Sequence, residues 1–375
     1  MSLQFETVGV VGTGAMGRGI AQIAAQAGSQ VWLFDAKPGA AEQAATALGE
    51  QWDKLAAKGK LTAEAVAQLK GRLAIATEMP QLAPCQMVVE AVVERLDVKR
   101  QLFGDLEAIV AADAVLATNT SSLSVTAIAA GLKRPGQLAG FHFFNPVPLM
   151  RVVEVIAGLK TDPRVCYQLS AYAREMGHTP VLAQDTPGFI VNHAGRGYGT
   201  EALRVVGENV SDFATVDRIL RDQMGFRLGP FELMDLTALD VSHPVMESIY
   251  HQYYEEPRYR PSVITAQRLA GGVVGKKVGE GFYAYQDGVA AVPPEPAIGL
   301  RPFAICSLFG FVRMLYANVG SIVSFHAPLP PGPVHAKFAD NCAFCVERAT
   351  SSGSYTFKRF VADAPSPPAT PMRSK

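Results

Sequence analysis

The sequence predicts an α/β protein in which a doubly wound, mostly parallel sheet with helices on both faces is followed by a smaller all-α domain. Short apolar runs alternate with helix-like segments through the first half of the chain, and these runs stop near Pro187. Strands interleaved with helices are typical of βαβ units. We therefore expect domains at 1–186 and 187–288, with a proline-rich segment of unknown structure at 289–375.

Six apolar runs have the length of buried strands. They lie at 8–11, 31–34, 87–90, 115–118, 138–143 and 152–156. Helical spacing begins at Met16 and returns in further segments. These are 99–111 and 162–176 in the first domain, and 213–223, 241–254 and 262–270 in the second.

The composition favours a folded cytoplasmic enzyme or binding protein. The 375 residues are 49% hydrophobic, and 34 basic side chains balance 34 acidic ones. A protein that binds nucleic-acid backbone normally carries a basic excess, so no nucleic-acid partner is expected. Five cysteines do not suggest a disulfide scaffold or a metal site, and no signal peptide is visible at the first residues.

The segment 289–375 differs from the rest of the chain. It holds 12 of the 25 prolines and three of the five cysteines. An apolar stretch at 298–325 is interrupted by Arg313, so we expect no membrane span. Cys342 and Cys345 form a CxxC without a second pair at zinc spacing, so no metal is expected. An unrelated extension and a sequence read out of frame both remain open for this segment.

A glycine-rich turn follows the first strand directly. Gly12, Gly14 and Gly17 form G-x-G-x-x-G, with Ala15 and Met16 opening the next helix. In a Rossmann-type fold, these glycines allow a tight turn, close approach of a pyrophosphate and close helix–strand packing. The helix N-terminus offers N–H groups to the phosphates. All five residues are therefore expected to bind a dinucleotide.

Asp35 indicates which dinucleotide is bound. It ends the second predicted strand, 21 residues after Gly14, where a carboxylate accepts hydrogen bonds from the adenosine ribose. Its charge would repel a 2′-phosphate, so we expect NAD rather than NADP, although Lys37 could partly compensate.

A histidine and a glutamate flank a proline-containing turn. His142 lies near the end of one apolar strand and Glu154 within the next. Chain reversal could bring the imidazole and the carboxylate together, which is the usual arrangement for proton transfer near neutral pH. The alternative is a core histidine that is satisfied by the backbone.

Four segments, at 12–21, 119–123, 142–148 and 185–192, resemble the L-3-hydroxyacyl-CoA dehydrogenases. The resemblance runs from about residue 8 to 285 and covers three quarters of the chain. It implies NAD-dependent oxidation of a 3-hydroxyacyl-CoA to the 3-oxoacyl-CoA, in fatty-acid or aromatic-acid degradation. It also implies a homodimer through the helical domain.

The resemblance assigns roles residue by residue. His142 matches the catalytic base and Glu154 the residue that orients it, while Ser121, Asn145 and Asn192 match residues around the thioester and the nicotinamide. Further matches are Glu94, Lys99 and Lys277 at the cofactor and Lys58 at the CoA moiety. For each lysine, an ordinary solvated charge is the alternative.

The residues after Asn192 depart from the family pattern. Gly195, Gly197 and Gly199 surround Arg196 and Tyr198, and each glycine costs a helix about 1 kcal/mol relative to alanine. This indicates either a loose helix start or a widened acyl pocket in which Arg196 meets a polar or carboxylated chain end, as in 3-hydroxyadipyl-CoA. A dehydrogenase for CoA-free hydroxy acids and a non-catalytic NAD(H)-binding protein remain alternatives.

Overall fold

The computed structural model describes residues 3–291 and two strands at 344–349 and 354–359. The chain divides into two compact units, Met1–Val319 and Gly320–Lys375. Both domains expected before residue 289 lie in the first unit. The apolar stretch at 298–325 and the side chains of the CxxC pair lie outside the described residues.

Eight strands of the first unit form one sheet. They are β1 (Thr7–Val11), β2 (Gln30–Phe34), β3 (Leu73–Ile75), β4 (Met87–Glu90), β5 (Val115–Thr118), β6 (Leu138–Phe143), β7 (Val152–Ala157) and β8 (Thr179–Gln184). Their spatial order is β3-β2-β1-β4-β5-β6-β7-β8. All neighbours are parallel except β6 and β7. The connection from β6 to β7 is too short for a parallel crossover, which needs about a dozen residues or more.

Six helices accompany this sheet. They are α1 (Ala15–Ala27), α2 (Ala40–Ala57), α3 (Ala63–Gly71), α4 (Leu96–Ile109), α5 (Val125–Ala129) and α6 (Pro163–Glu175). The side chains of Thr62, Ser124 and Asp162 cap α3, α5 and α6 by accepting first-turn N–H groups. Two separate clusters of buried apolar side chains form the core of this part of the chain.

The segment 191–291 is mainly helical. Its helices are α7 (Val191–Gly207), α8 (Phe213–Asp222), α9 (Pro230–Thr237), α10 (Leu239–Gln252) and α11 (Val263–Ala270). They share a third apolar core around Leu203, Phe231 and Phe282. Helix α7 is continuous through Gly195, Gly197 and Gly199, and both interpretations of these glycines stay predictions.

The expectation that strands end before Pro187 is wrong in detail. A two-residue hairpin, β9 (Tyr285–Gln286) with β10 (Val289–Ala290), ends the helical part. In the second unit, β11 (Phe344–Ala349) pairs antiparallel with β12 (Ser354–Arg359).

The predicted fold class is nevertheless confirmed: a mostly parallel sheet with flanking helices precedes a helical domain. None of the helices in the described part of the chain has the length and apolar character needed to span a membrane.

Candidate active site

The carboxyl ends of four parallel strands place the candidate residues along one edge of the sheet. The glycine turn follows β1, Glu90 ends β4, Thr118 ends β5 and His142 is the penultimate residue of β6. In an open α/β sheet, ligands bind in the crevice outside these ends. The topology therefore brings the dinucleotide turn and the histidine to the same edge.

The glycine turn has the geometry that a bound pyrophosphate requires. Gly12 has a φ of 90°, and a Cβ there would lie 2.6 Å from the carbonyl oxygen of Ala91. A Cβ on Gly17 would lie 1.8 Å from the carbonyl oxygen of Gly12, whereas one on Gly14 would meet no atom within 4 Å. Gly12 and Gly17 thus allow the backbone of the turn and of α1 to pack closely against neighbouring backbone, and Gly14 leaves room for a ligand.

The first turn of α1 offers its N–H groups to that space. Gly14 is the N-cap and provides no capping side chain, so the N–H groups of Ala15, Met16 and Gly17 have no side-chain cap. Free N–H groups and the positive end of the helix dipole suit an anion. The residues present therefore fit a dinucleotide pyrophosphate.

Asp35 braces the glycine turn. Its Oδ2 accepts hydrogen bonds from Thr13 N at 2.7 Å and Thr13 Oγ1 at 2.9 Å, and its Oδ1 accepts one from Lys37 N at 2.9 Å. Partial burial opposes ionisation, but these hydrogen bonds and the Lys37 charge outweigh it and hold the Asp35 pKa below its ordinary value. Asp35 therefore presents a negative charge where the ribose is expected.

His142 and Glu154 form a buried pair. They face each other in the antiparallel register of β6 and β7, and His142 Nδ1 lies 2.6 Å from Glu154 Oε2. The imidazole packs against the rings of Phe144 and Phe189, at centroid distances of 4.6 and 5.7 Å. Nε2 has no hydrogen-bond partner within the described residues, so it is available to a ligand.

The second oxygen of Glu154 holds the start of α7. Oε1 accepts hydrogen bonds from the backbone of Ile190 at 2.9 Å and of Val191 at 2.8 Å. One carboxylate thus orients the histidine and also fixes the first residues of the helical domain relative to the sheet.

Glu94 organises the turn that carries Ser121. Its Oε1 accepts hydrogen bonds from Thr120 Oγ1 at 2.6 Å, Ser121 N at 2.8 Å and Ser122 N at 3.1 Å. Burial opposes ionisation of Glu94, but the nearby Lys99 charge and these hydrogen bonds hold its pKa below the ordinary value. Glu94 therefore shapes the turn as an anion.

Lys99 is buried rather than solvated. Its side chain is 1% exposed, and Nζ contacts Glu90 Oε1 at 2.5 Å and Glu94 Oε2 at 3.2 Å. Glu90 Oε2 also accepts the hydroxyl of Thr118 at 2.7 Å. Lys99 therefore neutralises Glu90 and Glu94 in this structure, and its expected contact with the cofactor stays a prediction.

Two residues of the helical domain contact the Ser121 turn. Asn192 Nδ2 donates to the carbonyl oxygen of Ser121 at 3.2 Å, and Gln252 Nε2 donates to that of Ser122 at 2.9 Å. Ser121 and Asn192, which the sequence analysis expected at the substrate, are therefore neighbours across the two domains.

The remaining predicted residues make no hydrogen bond or ion pair with the site residues described above. Asn145 is exposed, beside the cis bond to Pro146, and Lys58 is exposed just beyond the end of α2. Lys277 forms an ion pair with Asp240 of α10. Their expected roles at the cofactor and CoA stay predictions. No group of three or more potential metal ligands occurs among the described residues.

Several contributing residues escaped the sequence analysis. Asn119 Oδ1 accepts the N–H of Phe143 at 2.9 Å and so ties the Ser121 turn to the strand that bears His142. Asp185 accepts hydrogen bonds from Ser124, Val125 and Thr126 at the start of α5. The sequence could have indicated the role of Glu90, because a charged residue at the end of a buried apolar strand requires a partner.

A glycine turn fitted to a dinucleotide and a carboxylate-held imidazole at the same sheet edge define a class: the dinucleotide-dependent dehydrogenases. The comparisons narrow this class. The family model of the 3-hydroxyacyl-CoA dehydrogenase NAD-binding domain matches residues 7–186, and that of the C-terminal domain matches residues 188–285.

Individual relatives have names that fall in the same family. The 3-hydroxyadipyl-CoA dehydrogenase of Escherichia coli (strain K12) is 42% identical over 286 residues, which are 76% of this chain and 60% of that protein. A probable 3-hydroxybutyryl-CoA dehydrogenase of Deinococcus radiodurans is 39% identical over 277 residues, 74% of this chain and 99% of that protein.

A solved structure, 3-hydroxybutyryl-CoA dehydrogenase from Escherichia coli K12, has a TM-score of 0.75 at 41% identity and covers 79% of this chain and 62% of that one. The chain belongs to the 3-hydroxyacyl-CoA dehydrogenase family. It is accordingly an NAD-dependent oxidoreductase, as the sequence analysis predicted.

Proposed function

We propose that the protein oxidises L-3-hydroxyacyl-CoA to 3-oxoacyl-CoA, with His142 as general base. The observation that carries this proposal is the His142–Glu154 pair, 2.6 Å apart, whose second imidazole nitrogen has no partner among the described residues. A base must have a free nitrogen within reach of the proton it removes. Nε2 meets this requirement at the sheet edge that also bears the glycine turn.

His142 and Glu154 divide the work of proton transfer. Nε2 takes the proton of the C3 hydroxyl, and the imidazolium that forms donates from Nδ1 to Glu154. The carboxylate stabilises this charge and keeps the imidazole in the tautomer whose Nε2 is unprotonated. Bound NAD⁺ supplies the hydride acceptor.

The turn at Ser121 positions the acyl group in this proposal. Ser121 and Asn192, joined at 3.2 Å, lie where the thioester end of the acyl chain is expected, with Asn145 on the exposed loop after β6. Lys58 would pair with CoA phosphates, for which an exposed ammonium is suited. Glu94 acts here as a positioning residue, because it holds the Ser121 turn.

The cellular setting is part of the same proposal. We propose a cytoplasmic protein of fatty-acid or aromatic-acid degradation that dimerises through its helical domain. Exposed apolar side chains on that domain, among them Leu236, Val241 and Val263, support the dimer because exposed apolar surface often marks an interface.

The test removes the base. His142→Gln should bind NADH normally but lose about 10²- to 10⁴-fold in kcat, because general-base catalysis contributes that much. NADH formation is followed by absorbance with 3-hydroxybutyryl-CoA, and NADH affinity by fluorescence titration. His251→Gln is the matched control, since His251 is exposed and pairs with Glu255.

Retention of near-normal kcat by His142→Gln would contradict the assignment of the base. No NADH formation by the unaltered protein with any acyl-CoA would contradict the activity itself and favour a non-catalytic NAD(H)-binding protein. Turnover of CoA-free hydroxy acids in preference to the thioesters would favour the other dehydrogenase considered above.

A further inference from the structure

Gln252, the last residue of α10, contacts the Ser121 turn from the helical domain. Its Nε2 donates to the carbonyl oxygen of Ser122 at 2.9 Å and to Ser248 Oγ, one helical turn earlier, at 3.0 Å. Ser122 is only 5% exposed, so little water can reach it. A buried acceptor that loses its donor is left unsatisfied, which is costly. The Gln252 amide therefore joins the end of α10 firmly to the turn.

The backbone of Ser121 and Ser122 is held from both domains. Glu94 Oε1 accepts the two N–H groups, at 2.8 and 3.1 Å. Asn192 and Gln252 donate to the two carbonyl oxygens, at 3.2 and 2.9 Å. The sheet domain thus binds the N–H groups and the helical domain binds the carbonyl oxygens. Bonds on both sides of the backbone fix the direction of the Cα–Cβ bond of Ser121, and so the region that its hydroxyl can reach.

The two amide donors belong to one connected unit of the helical domain. Tyr253, next to Gln252, has its hydroxyl 2.9 Å from Nδ1 of His193, which is next to Asn192. The hydroxyl of Tyr259 lies 3.2 Å from His193 Nε2, and its ring stacks on that of Tyr253 with a centroid distance of 4.6 Å. A displacement of the end of α10 therefore also displaces the start of α7.

Gln252 differs from the other contacts between the domains in the helix that carries it. The bonds of Glu154 to the start of α7, and the bond of Asn192, lie within a few residues of the connection between the domains. Contacts at the start of α7 alone are compatible with rotation of the helical domain about that point. Gln252 follows Asn192 by 60 residues and ends a different helix, so its bond opposes such a rotation.

We propose that Gln252 is a positioning residue of the dehydrogenase, whose amide holds the helical domain in the orientation in which Ser121 and Asn192 together face the acyl thioester. This inference rests on the proposed function, in which these two residues lie at the thioester. Gln252 acts through the Ser122 carbonyl group rather than by contact with substrate or cofactor.

The test replaces Gln252 by methionine, which has about the same length and no N–H donor. Gln252→Met should raise KM for 3-hydroxybutyryl-CoA about 2- to 10-fold, the usual worth of one hydrogen bond. The loss should appear in KM rather than in kcat, because bound substrate still selects the competent orientation. The glycine turn and Asp35 belong to the sheet domain, so NADH affinity should not change.

Two further variants separate positioning from a general effect on the fold. Gln252→Glu places a carboxylate against the Ser122 carbonyl oxygen, and neither group can donate at neutral pH, so KM should rise more than in Gln252→Met. Gln267→Met is the matched control, because Gln267 is exposed on α11. It should leave KM unchanged.

Hydrogen exchange tests the same contact without catalysis. In Gln252→Met, the backbone N–H groups at 119–124 and 190–194 should exchange faster than in the unaltered protein, because local opening is easier. Exchange in β1 and β4, which the contact does not reach, should stay the same.

The outcomes that overturn the inference differ from those that overturn the proposed function. An active Gln252→Met enzyme with unchanged KM and unchanged exchange would refute the positioning role alone. Equal losses of affinity for NADH and for the acyl-CoA would show a general structural role instead. No NADH formation by the unaltered protein with any acyl-CoA would overturn the proposed function, and this inference with it.

Discussion

Replacement of Glu154 by glutamine tests the proton-transfer proposal most directly, because the structure fixes which way the new amide must face. Glu154 Oε1 accepts two backbone N–H groups, from Ile190 and Val191. In Glu154→Gln, the carbonyl oxygen must occupy this position, since an NH₂ group cannot accept a hydrogen bond. The amide nitrogen then faces His142 Nδ1.

This orientation reverses the tautomer of the histidine. An NH₂ group that donates to Nδ1 requires Nδ1 to be an acceptor, so the ring proton moves to Nε2. Nε2 can then no longer take a proton from the substrate, and no carboxylate remains to stabilise an imidazolium. The equivalent change in a Ser-His-Asp triad lowers kcat about 10⁴-fold. We expect a loss of about 10²- to 10⁴-fold here, equivalent to about 3–5 kcal/mol of activation free energy.

The assay is steady-state NADH formation, with NADH binding and thermal unfolding measured on the same preparations. Because the bonds to Ile190 and Val191 persist, NADH affinity and Tm should change little. Glu175→Gln is a suitable control, since Glu175 only accepts the N–H of Gln4 at an exposed position. A Glu154→Gln variant that keeps kcat within about fivefold of the unaltered protein would refute the tautomer argument.

Two further predictions concern the charged side chains below the Ser121 turn, of which Glu90 and Lys99 are buried and Glu94 is partly exposed. Lys99→Met leaves Glu90 buried without its cation, which should lower the free energy of unfolding by about 3–5 kcal/mol in urea titrations; Lys70→Met, which breaks the exposed pair with Asp53, should cost at most about 1 kcal/mol. Equal costs would contradict this reasoning. The folded-state pKa of Glu94 lies below its ordinary value of 4.5, so its ionised form stabilises the fold above that pH and the contribution is lost as the pH falls through the folded-state pKa. The stability difference between the unaltered protein and Glu94→Gln should therefore narrow below about pH 4.5, and a constant difference down to full acid unfolding would argue against it.

The sequence predicted most of the sheet but missed its two edge strands. Six of the eight strands are continuous apolar runs because neighbours cover them on both faces. Strand β3 has only three residues, all half-buried. Strand β8 begins Thr179-Pro180 and exposes several side chains. The apolar run of each edge strand is only three residues long, Leu73–Ile75 in β3 and 181–183 in β8, which is shorter than the four to eight residues on which the prediction depends. Pairing with the neighbouring strand therefore identifies them.

For the site, the sequence predicted local features and missed contacts between distant loops. The glycine turn and Asp35 follow from one βαβ unit, and the His142–Glu154 contact follows from a short reversal between two strands. The bonds from Glu94 to Thr120 and Ser121 join loops that only the order of β4 and β5 in the sheet brings together. Similarly, no local pattern shows that Lys99 on α4 is buried, because α4 has the composition of an ordinary amphipathic helix.

Glu154 links the proposed chemistry to the placement of the substrate. One oxygen orients His142, and the other fixes the first N–H groups of α7, the helix that carries Asn192. One buried carboxylate thus fixes the positions of both the proton acceptor and the helix whose residue Asn192 is proposed to hold the acyl chain. Since a displacement of about 1 Å can cost about 10²-fold in rate, a shift of α7 would misplace the substrate relative to the base. A buried glutamate, held by hydrogen bonds on both oxygens, keeps the histidine and α7 at a fixed distance from each other. A solvated glutamate would not hold them in this way.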